Sequence, residues 1–300
     1  QRKCKEQKIP VMVTFDGVDA AGKGTMINRV IQFLDPRGYR VFTTGKAGEE
    51  ERMRPYFWRF FTKTPEKGRM HIFDQSWYRG VYEGEIGEKD ATEFEKMLIQ
   101  DGTLIVKFFL LISAKEQKKR LEKMEKDEDT RWRVSDFDKW QNEHYKKCAK
   151  IFSQYLSDTN ASSAPWYIID ASDRKWAELQ VLETMVSNIE VAMQNQAHSV
   201  PILQNVFPLE QIPRLSDIDL RDKTMDDEEY RGELKQLQSK LGELHNKLYR
   251  RRIPVIITYE GWDAAGKGSV LGKVIKDLDP RFFDVRTMDK PSEEELRRPF

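Results

Sequence analysis

The feature that most constrains this chain is that it repeats part of itself. Ile9-Pro10-Val11 opens a segment that returns at Ile253-Pro254-Val255, and the register then holds without a gap to the last residue. Asp19-Ala-Ala-Gly-Lys-Gly24 recurs as Asp263 to Gly268, and Leu34-Asp35-Pro36-Arg37 as Leu278 to Arg281. Lys46 with Glu49, Glu50 and Glu51 recurs as Lys290 with Glu293, Glu294 and Glu295. Roughly half of about 48 shared positions are identical, and the offset of about 244 residues is a domain plus its linker, far beyond solenoid periods of about 20–50. The expectation is a tandem duplication: a first domain over 1–198, a linker over 199–225, and the N-terminal part of a second, homologous domain over 226–300. The second copy stops at Arg298-Pro299-Phe300, inside what should be a helix, so the chain is expected to be a piece of a longer protein.

In the first copy, short apolar runs alternate with charged helical stretches. Val11 to Phe15, bounded by Pro10 and Gly17, has the pattern of a buried strand. Further strands are expected at Val41–Thr43, Ile72–Phe73, Ile105–Ile112 and Tyr167–Ile169. A helix is expected from Lys23 to Leu34, stopped by Asp35-Pro36. Others are expected over about 49–61, 91–101, 115–126, 137–156 and 175–193. Such alternation gives parallel strands, right-handed crossovers and helices on both faces of a sheet. Pro201, Pro208 and Pro213 mark the linker. From Asp226 a long helix is expected, with Tyr230, Leu234, Leu237, Leu241, Leu244 and Leu248 on one stripe. That stripe either docks on the second copy or forms a coiled-coil seam.

Gly17-Val-Asp-Ala-Ala-Gly22-Lys23-Gly24 and its twin from Gly261 to Gly268 fit the phosphate-loop pattern GxxxxGK between a strand and a helix. Gly17 and Gly22, like Gly261 and Gly266, let the backbone close round a phosphate. The N–H groups along Ala20, Ala21 and Gly22 then point inward, and the helix N-terminus adds partial positive charge. Lys23 and Lys267 bring a mobile ammonium. The alternative is a glycine-rich turn without a ligand. The hydroxyl that usually follows the lysine and holds magnesium is absent: Gly24 and Gly268 stand there, with Thr25 and Ser269 one residue on. A metal must then lean on carboxylates, namely Asp19 and Asp263 within the loops and Asp74 after the strand Ile72–Phe73. The expected fold is therefore α/β, a P-loop kinase-like three-layer α/β/α with a parallel sheet and a helical lid, duplicated in tandem.

Phosphoryl transfer spreads negative charge over oxygens that arginines stabilise. Arg120, Arg131 and Arg133 lie between the central strand and the helix near Asp136, and are expected in a cationic segment that closes over the phosphates. The alternative is a solvated helix face. Lys46, Arg52, Arg54 and Arg59 are candidates for lining a polyanion groove, with Lys290 the counterpart of Lys46.

Composition excludes some classes. Lys+Arg 51 against Asp+Glu 50 leaves +1, so no overall charge draws the chain to nucleic acid or a membrane. The sequence has no run of 18 apolar residues and no apolar core in its opening QRKCKEQKIP. Cys4 and Cys148 have no metal-ligand spacing, which points to a reducing cytoplasm.

With these residues in hand, the first copy resembles the polyphosphate kinase 2 family. GVDAAGKG matches the family's G-x-D-A-A-G-K-G, LDPRGYRVF is similar to the segment after the first helix, and FDQSWYRG to the acid motif FDRSWYNR. RWRVSDFD resembles the lid motif RWKxSxxD, and APWYIIDASDRKWAEL the family's ending. Gln75 stands where the family usually has Arg, and Arg79 where it usually has Asn. The resemblance implies Mg2+-dependent phosphoryl transfer from inorganic polyphosphate to a nucleoside monophosphate, AMP to ADP. Lys23 and the loop would hold polyphosphate, and Asp19 and Asp74 would manage magnesium and the acceptor phosphate. Arg120, Arg131 and Arg133 would be lid cations, while Lys46 and Arg54 would contact nucleotide or polyphosphate. In tandem members one copy, generally the second, carries the activity. An ATP-dependent nucleoside monophosphate kinase, or a degenerate first copy serving binding or dimerisation, stay open as alternatives, as does a homo-oligomer.

Overall fold

The computed structural model describes residues 1–195, 225–288 and 290–299. The chain divides into two compact units, residues 1–203 with 291–300, and residues 204–290. Residues 291–300, expected in the second copy, thus group with the first unit. The expected linker, apart from Met225, lies outside the described residues.

The first unit is built on five parallel strands: β1 (Val11–Gly17), β2 (Tyr39–Thr43), β3 (Met70–Asp74), β4 (Leu104–Leu111) and β5 (Trp166–Asp170). Their order across the sheet is β2-β3-β1-β4-β5. The central β1 pairs Val13 with Ile72 on one side and Val106 on the other. Val11, Met12, Val13 and Phe15 are fully buried, as a strand covered on both faces requires. The helices are α1 (Arg2–Glu6), α2 (Lys23–Ile31), α3 (Glu49–Arg52), α4 (Trp58–Phe61), α5 (Tyr78–Glu83), α6 (Glu88–Gln100), α7 (Ala114–Lys126), α8 (Asp136–Glu143), α9 (Tyr145–Asp158) and α10 (Arg174–Asn195).

Three helices differ from expectation. The first ends at Ile31 rather than Leu34. The stretch over 49–61 is two short helices, because Pro55 cannot donate within a helix and disfavours helical geometry at Arg54. The stretch over 137–156 breaks at His144, whose φ of -103° and ψ of 24° leave the helical region. Helix α5, absent from the expected set, begins within the acid motif at Tyr78.

The core beneath that motif holds a buried ion pair. Lys107, in the middle of β4, places its Nζ 2.8 Å from Glu95 Oε2, with Tyr78 Oη and Thr159 O each at 3.1 Å. Trp77 Nε1 donates to Glu95 Oε1 at 3.1 Å. Trp77 and Tyr78 are thereby fixed from below, and the turn Asp74–Ser76 inherits that anchorage.

The second unit contains α11 (Asp227–Arg251) and α12 (Lys267–Val274). The leucine-bearing helix α11 packs within its own unit. Gln238 Nε2 donates to Lys273 O at 2.8 Å, and the Tyr249 ring stacks on Phe282 with centroids 3.8 Å apart. These contacts come from Gln238 and Tyr249, while Leu237 and Leu244 of the stripe are 62% and 43% exposed. The segment 255–259, counterpart of β1, is irregular, and Ile256 is 91% exposed. A parallel strand needs neighbours, and the described residues of this unit contain no counterpart of β3 or β4 to pair with it.

Candidate active site

Strand β1 ends at Gly17, where φ is 138° and an added Cβ would lie 2.2 Å from Leu110 O, so only glycine lets β1 and β4 approach this closely. Ala20 (φ 59°) and Gly22 (φ 99°) then turn the chain into the N-terminus of α2. This bending segregates carbonyls from amides. Lys23 Nζ donates to Gly17 O and Val18 O, both at 3.2 Å. Gln117 Nε2 donates to Asp19 O at 3.1 Å, and Arg120 Nη1 to Ala20 O at 3.4 Å and Ala21 O at 3.0 Å. Five consecutive carbonyls are thus occupied by side chains. The N–H groups of Ala20, Gly22, Lys23, Gly24 and Thr25 have no protein acceptor among the described residues. Unpaired amides at a helix N-terminus bind anions.

The second loop has the same backbone, with φ of 151° at Gly261, 61° at Ala264 and 86° at Gly266. Lys267 Nζ reaches Gly261 O at 2.8 Å and Trp262 O at 2.9 Å. Asp263, Gly268, Ser269 and Lys290 are exposed, and among the described residues no cluster of three or more His, Cys, Asp or Glu forms around them.

Beside the first loop lies a cavity of about 500 Å³ lined by Asp19, Lys46, Gln75, Arg79 and residues 135–138, among others. Asp19 lies 3.7 Å from Lys23 Nζ. Burial pushes the carboxyls of Asp19 and Asp74 up, while the Lys23 ammonium pulls both down. Asp138 in the cavity wall adds to the rise at Asp19. Asp74 Oδ2 stands 3.7 Å from where a Cβ on Gly24 would sit, so the acid at the end of β3 faces the head of α2 as the spacing predicts. Burial also raises the Asp16 carboxyl, which accepts from Ser76 N at 2.9 Å and Ser76 Oγ at 2.7 Å and so ties the acid motif to β1.

Other expected residues sort differently. Arg120 is not on an exposed closing segment. It lies within α7, its side chain 10% exposed, with its guanidinium on loop carbonyls, on Ala171 O and Ser172 O, and on Glu116. The reason is that α7 runs on from β4 alongside the loop, so its inward face meets backbone rather than solvent. Arg131 and Arg133 are exposed in a short 3-10 turn, with Arg133 over the Trp132 ring, and do not line the cavity. Arg54 pairs with Glu50 and covers Trp58, away from the cavity. Thr25 is exposed on the first turn of α2. Sequence reasoning missed Gln117 and Gln141. Gln141 Oε1 accepts from Asp19 N and from Gln117 Nε2, both at 2.8 Å. The only signal was that Gln117 and Arg120 share a helix face.

A parallel sheet whose first strand ends in an amide nest, with a lysine opening the next helix, defines a P-loop phosphate-binding protein of α/β class. Residues 1–197 and 224–300 match Polyphosphate kinase 2 (PPK2), and the chain belongs to that family. It is 32% identical over 319 residues to a polyphosphate:AMP phosphotransferase of Pseudomonas aeruginosa, which covers 100% of this chain and 63% of the relative. It is 30% identical to a protein of the same description from Pseudomonas syringae pv. tomato, over 99% of this chain and 62% of the relative. A crystal structure described as polyphosphate kinase 2 from Pseudomonas aeruginosa PA01 superposes with a TM-score of 0.78 at 27% identity, covering 99% of this chain and 60% of that one. The chain thus spans about three fifths of the length of the curated relatives it matches. Among the described residues no helix is long and apolar enough to cross a membrane.

Proposed function

We propose that the protein transfers a phosphoryl group from inorganic polyphosphate to a nucleoside monophosphate, converting AMP to ADP with Mg2+ in the cytoplasm. The observation that carries this is a nest of unpaired amides opening beside a cavity of about 500 Å³ that holds Lys46 and Arg79. Two anionic substrates need two cationic places, one for the donor chain and one for the acceptor phosphate. The donor lies on the amides of Gly22 to Thr25 and on Lys23, which leaves its own loop carbonyls when a phosphate oxygen arrives. The acceptor phosphate lies against Lys46 and Arg79. Gln75 and Arg79 depart from the family pattern together, and Arg79 Nη1 sits 2.8 Å from Gln75 Oε1, so the cation absent at one position is supplied from the other. Relatives described as polyphosphate:AMP phosphotransferases support the substrate pair.

The donor set suits Mg2+, which favours hard oxygen ligands and keeps water and substrate phosphates in its shell. Asp19 and Asp74 offer carboxylate oxygens at the loop, whereas Asp16 is held by Ser76. Among the described residues no group of three or more His, Cys, Asp or Glu is placed to hold a metal ion. An ion held there by Asp19 and Asp74 would supply charge neutralisation for the phosphate oxygens. The protein's own contribution is positioning and charge: Lys23 and the amides on the donor, Lys46 and Arg79 on the acceptor, and Arg131 and Arg133 on the segment leading to the cavity wall at Ser135.

The domain over 226–300 is read as the start of a second homologous unit, in which Gly261, Gly266, Lys267, Gly268, Ser269 and Asp263 repeat the loop and Lys290 repeats Lys46. One observation favours a binding role for the first unit: Arg79 is held by Thr44 O, Gln75 and Glu83 within the protein. Purified protein supplied with AMP, MgCl2 and either polyphosphate or ATP is expected to make ADP from polyphosphate. ADP formed from ATP but never from polyphosphate overturns the reading. If Lys267→Ala abolishes turnover and Lys23→Ala does not, the first unit binds without catalysing.

A further inference from the structure

We propose that Gln117 and Arg120, one turn apart on α7, are positioning residues that hold the phosphate nest of the first unit open. Their side chains engage the carbonyls of Asp19, Ala20 and Ala21 at 3.1, 3.4 and 3.0 Å. In a trans peptide, the carbonyl of one residue and the N–H of the next point in opposite directions. Anchoring Asp19 O and Ala21 O on α7 therefore turns the N–H groups of Ala20 and Gly22 away from α7, and these two have no protein acceptor among the described residues.

Both anchors are themselves fixed. Arg120 Nη2 is bonded to Ala171 O at 2.8 Å and Ser172 O at 3.1 Å, directly after β5. Its Nε is bonded to Glu116 at 2.8 Å. One guanidinium thus links the loop after β1 to the end of β5, past the C-terminal end of β4 that lies between them. Gln117 is fully buried; its Oε1 accepts from Asn142 Nδ2 at 2.9 Å. Its Nε2 also meets Gln141 Oε1, the acceptor of Asp19 N–H. The Asp19 residue is consequently gripped at its N–H by α8 and at its carbonyl by α7.

The brace has something to hold against. Ala20 has φ 59°, a left-handed conformation that an alanine leaves readily when unsupported. The loop of the second unit reaches the same angles without a counterpart of α7 among the described residues. The brace therefore does not create the conformation. It narrows the loop to that conformation and prepays the ordering that an arriving anion would otherwise demand. A guanidinium held on the carbonyl side also leaves the amide side free for phosphate.

The proposal rests on the first loop taking condensed phosphate. The test uses the full chain, 15N-labelled, titrated with tripolyphosphate while the amide resonances of Gly22 and Gly24 report the first loop alone. Arg120→Met is expected to bind about 10- to 100-fold more weakly, the range for losing hydrogen bonds from a charged group. The amides of Ala20 to Gly22 should lose order in the free protein, and Arg120→Ala should regain affinity when guanidinium ion is added. A folded Arg120→Met with unchanged affinity and unchanged loop order overturns the proposal, as does a fall in melting temperature alone. Should Arg120→Met fail to fold, Gln117→Leu is judged on the same two readouts. If the wild-type loop shows no response to tripolyphosphate, it is the proposed function that falls, and loop order in the variants then decides the brace by itself.

Discussion

Lys107→Met should destabilise the first unit by an amount that depends on pH, and the dependence identifies its cause. Lys107 is fully buried and Glu95 nearly so, with the pair 2.8 Å apart. Burial pushes the Glu95 carboxyl up and the Lys107 ammonium down, and each is pulled back by the other. Methionine fills the space of the lysine stem but leaves Glu95 without its cation. The folded variant then favours Glu95 protonated, which costs up to about 1.36 kcal/mol for each pH unit between an unfolded value near 4.3 and the raised folded one. Lost bonds to Tyr78 Oη and Thr159 O add about 1 kcal/mol each at any pH. Breaking a buried pair costs about 3–5 kcal/mol, and the share that comes from Glu95 makes the loss larger at pH 7 than at pH 5. The sign follows from proton binding. In the variant the folded Glu95 pKa lies above the unfolded one, so the folded state binds more protons and its stability falls as pH rises from about 4.3. Urea unfolding read by tryptophan fluorescence suits the measurement, because Trp77 bonds Glu95 and Trp166 lies 4.8 Å from Lys107 Nζ. Equal destabilisation at pH 5 and pH 7 would refute the argument, since packing and neutral hydrogen bonds do not titrate there.

Gly17→Ala should cost about 3 kcal/mol or more, because its Cβ meets the Leu110 backbone at 2.2 Å, whereas Gly102→Ala, with open space and φ 90°, should cost about 1–2 kcal/mol in thermal melts. Comparable losses at both sites would contradict the close approach of β1 and β4. His71 is buried with Nδ1 2.7 Å from Lys63 O. Burial lowers its pKa, and Arg40 and Arg298 push the same way against Glu66. Its folded pKa is depressed, so its contribution is present above about pH 6.5 and declines as pH falls through the folded value, by up to about 1.4 kcal/mol per unit. His71→Asn should flatten that slope in urea titrations between pH 5 and 6.5; an unaltered slope rules His71 out as its source. Arg79→Ala should raise KM for AMP by about 10- to 100-fold if Arg79 meets the acceptor phosphate through charge-assisted bonds. An unchanged KM removes it from that role.

The fold was legible where the signal is local or strongly periodic. The apolar runs became β1 to β5, and α7 and α10 fall within a residue or two of the reading. Breaks inside charged stretches were not, even though Pro55 marks one of them, because helical periodicity on both sides outweighed a single residue. For the candidate site, the loop, Asp74 and Lys46 were picked from pattern and position, and the structure places Asp74 by the head of α2 and Lys46 in the cavity wall. Arg120 was found as a cation but read with the wrong partner, since a sequence states charge and not direction. Lys107 was invisible: within IVKFFLLI it reads as an interruption of a strand, and its partner Glu95 lies on another element whose packing no spacing rule supplies. Gln117 and Gln141 share that difficulty, because a buried amide relay leaves no periodic trace.

The two loops separate what is written locally from what needs the whole chain. Both adopt the same sequence of left-handed residues, and in each the lysine caps the carbonyls five and six residues before it. Those contacts lie within the eight-residue motif, so both loops of this chain form although their surroundings differ. The preceding strand does not. Val11, Met12 and Val13 are fully buried between β3 and β4, while Val255, Ile256 and Ile257 are 56%, 91% and 62% exposed where the described residues offer no neighbour. The amide nest is a local property, and the proposed acceptor place is not, because Asp74, Lys46, Arg79 and the wall at Ser135 reach the first loop only through sheet pairing and helix packing. In this chain, tripolyphosphate is accordingly expected to shift the amide resonances of both Gly22 and Gly266, whereas AMP added afterwards should perturb the first loop alone. An equal response of Gly266 to AMP would show that the acceptor place needs less of the sheet than the geometry of the first unit implies.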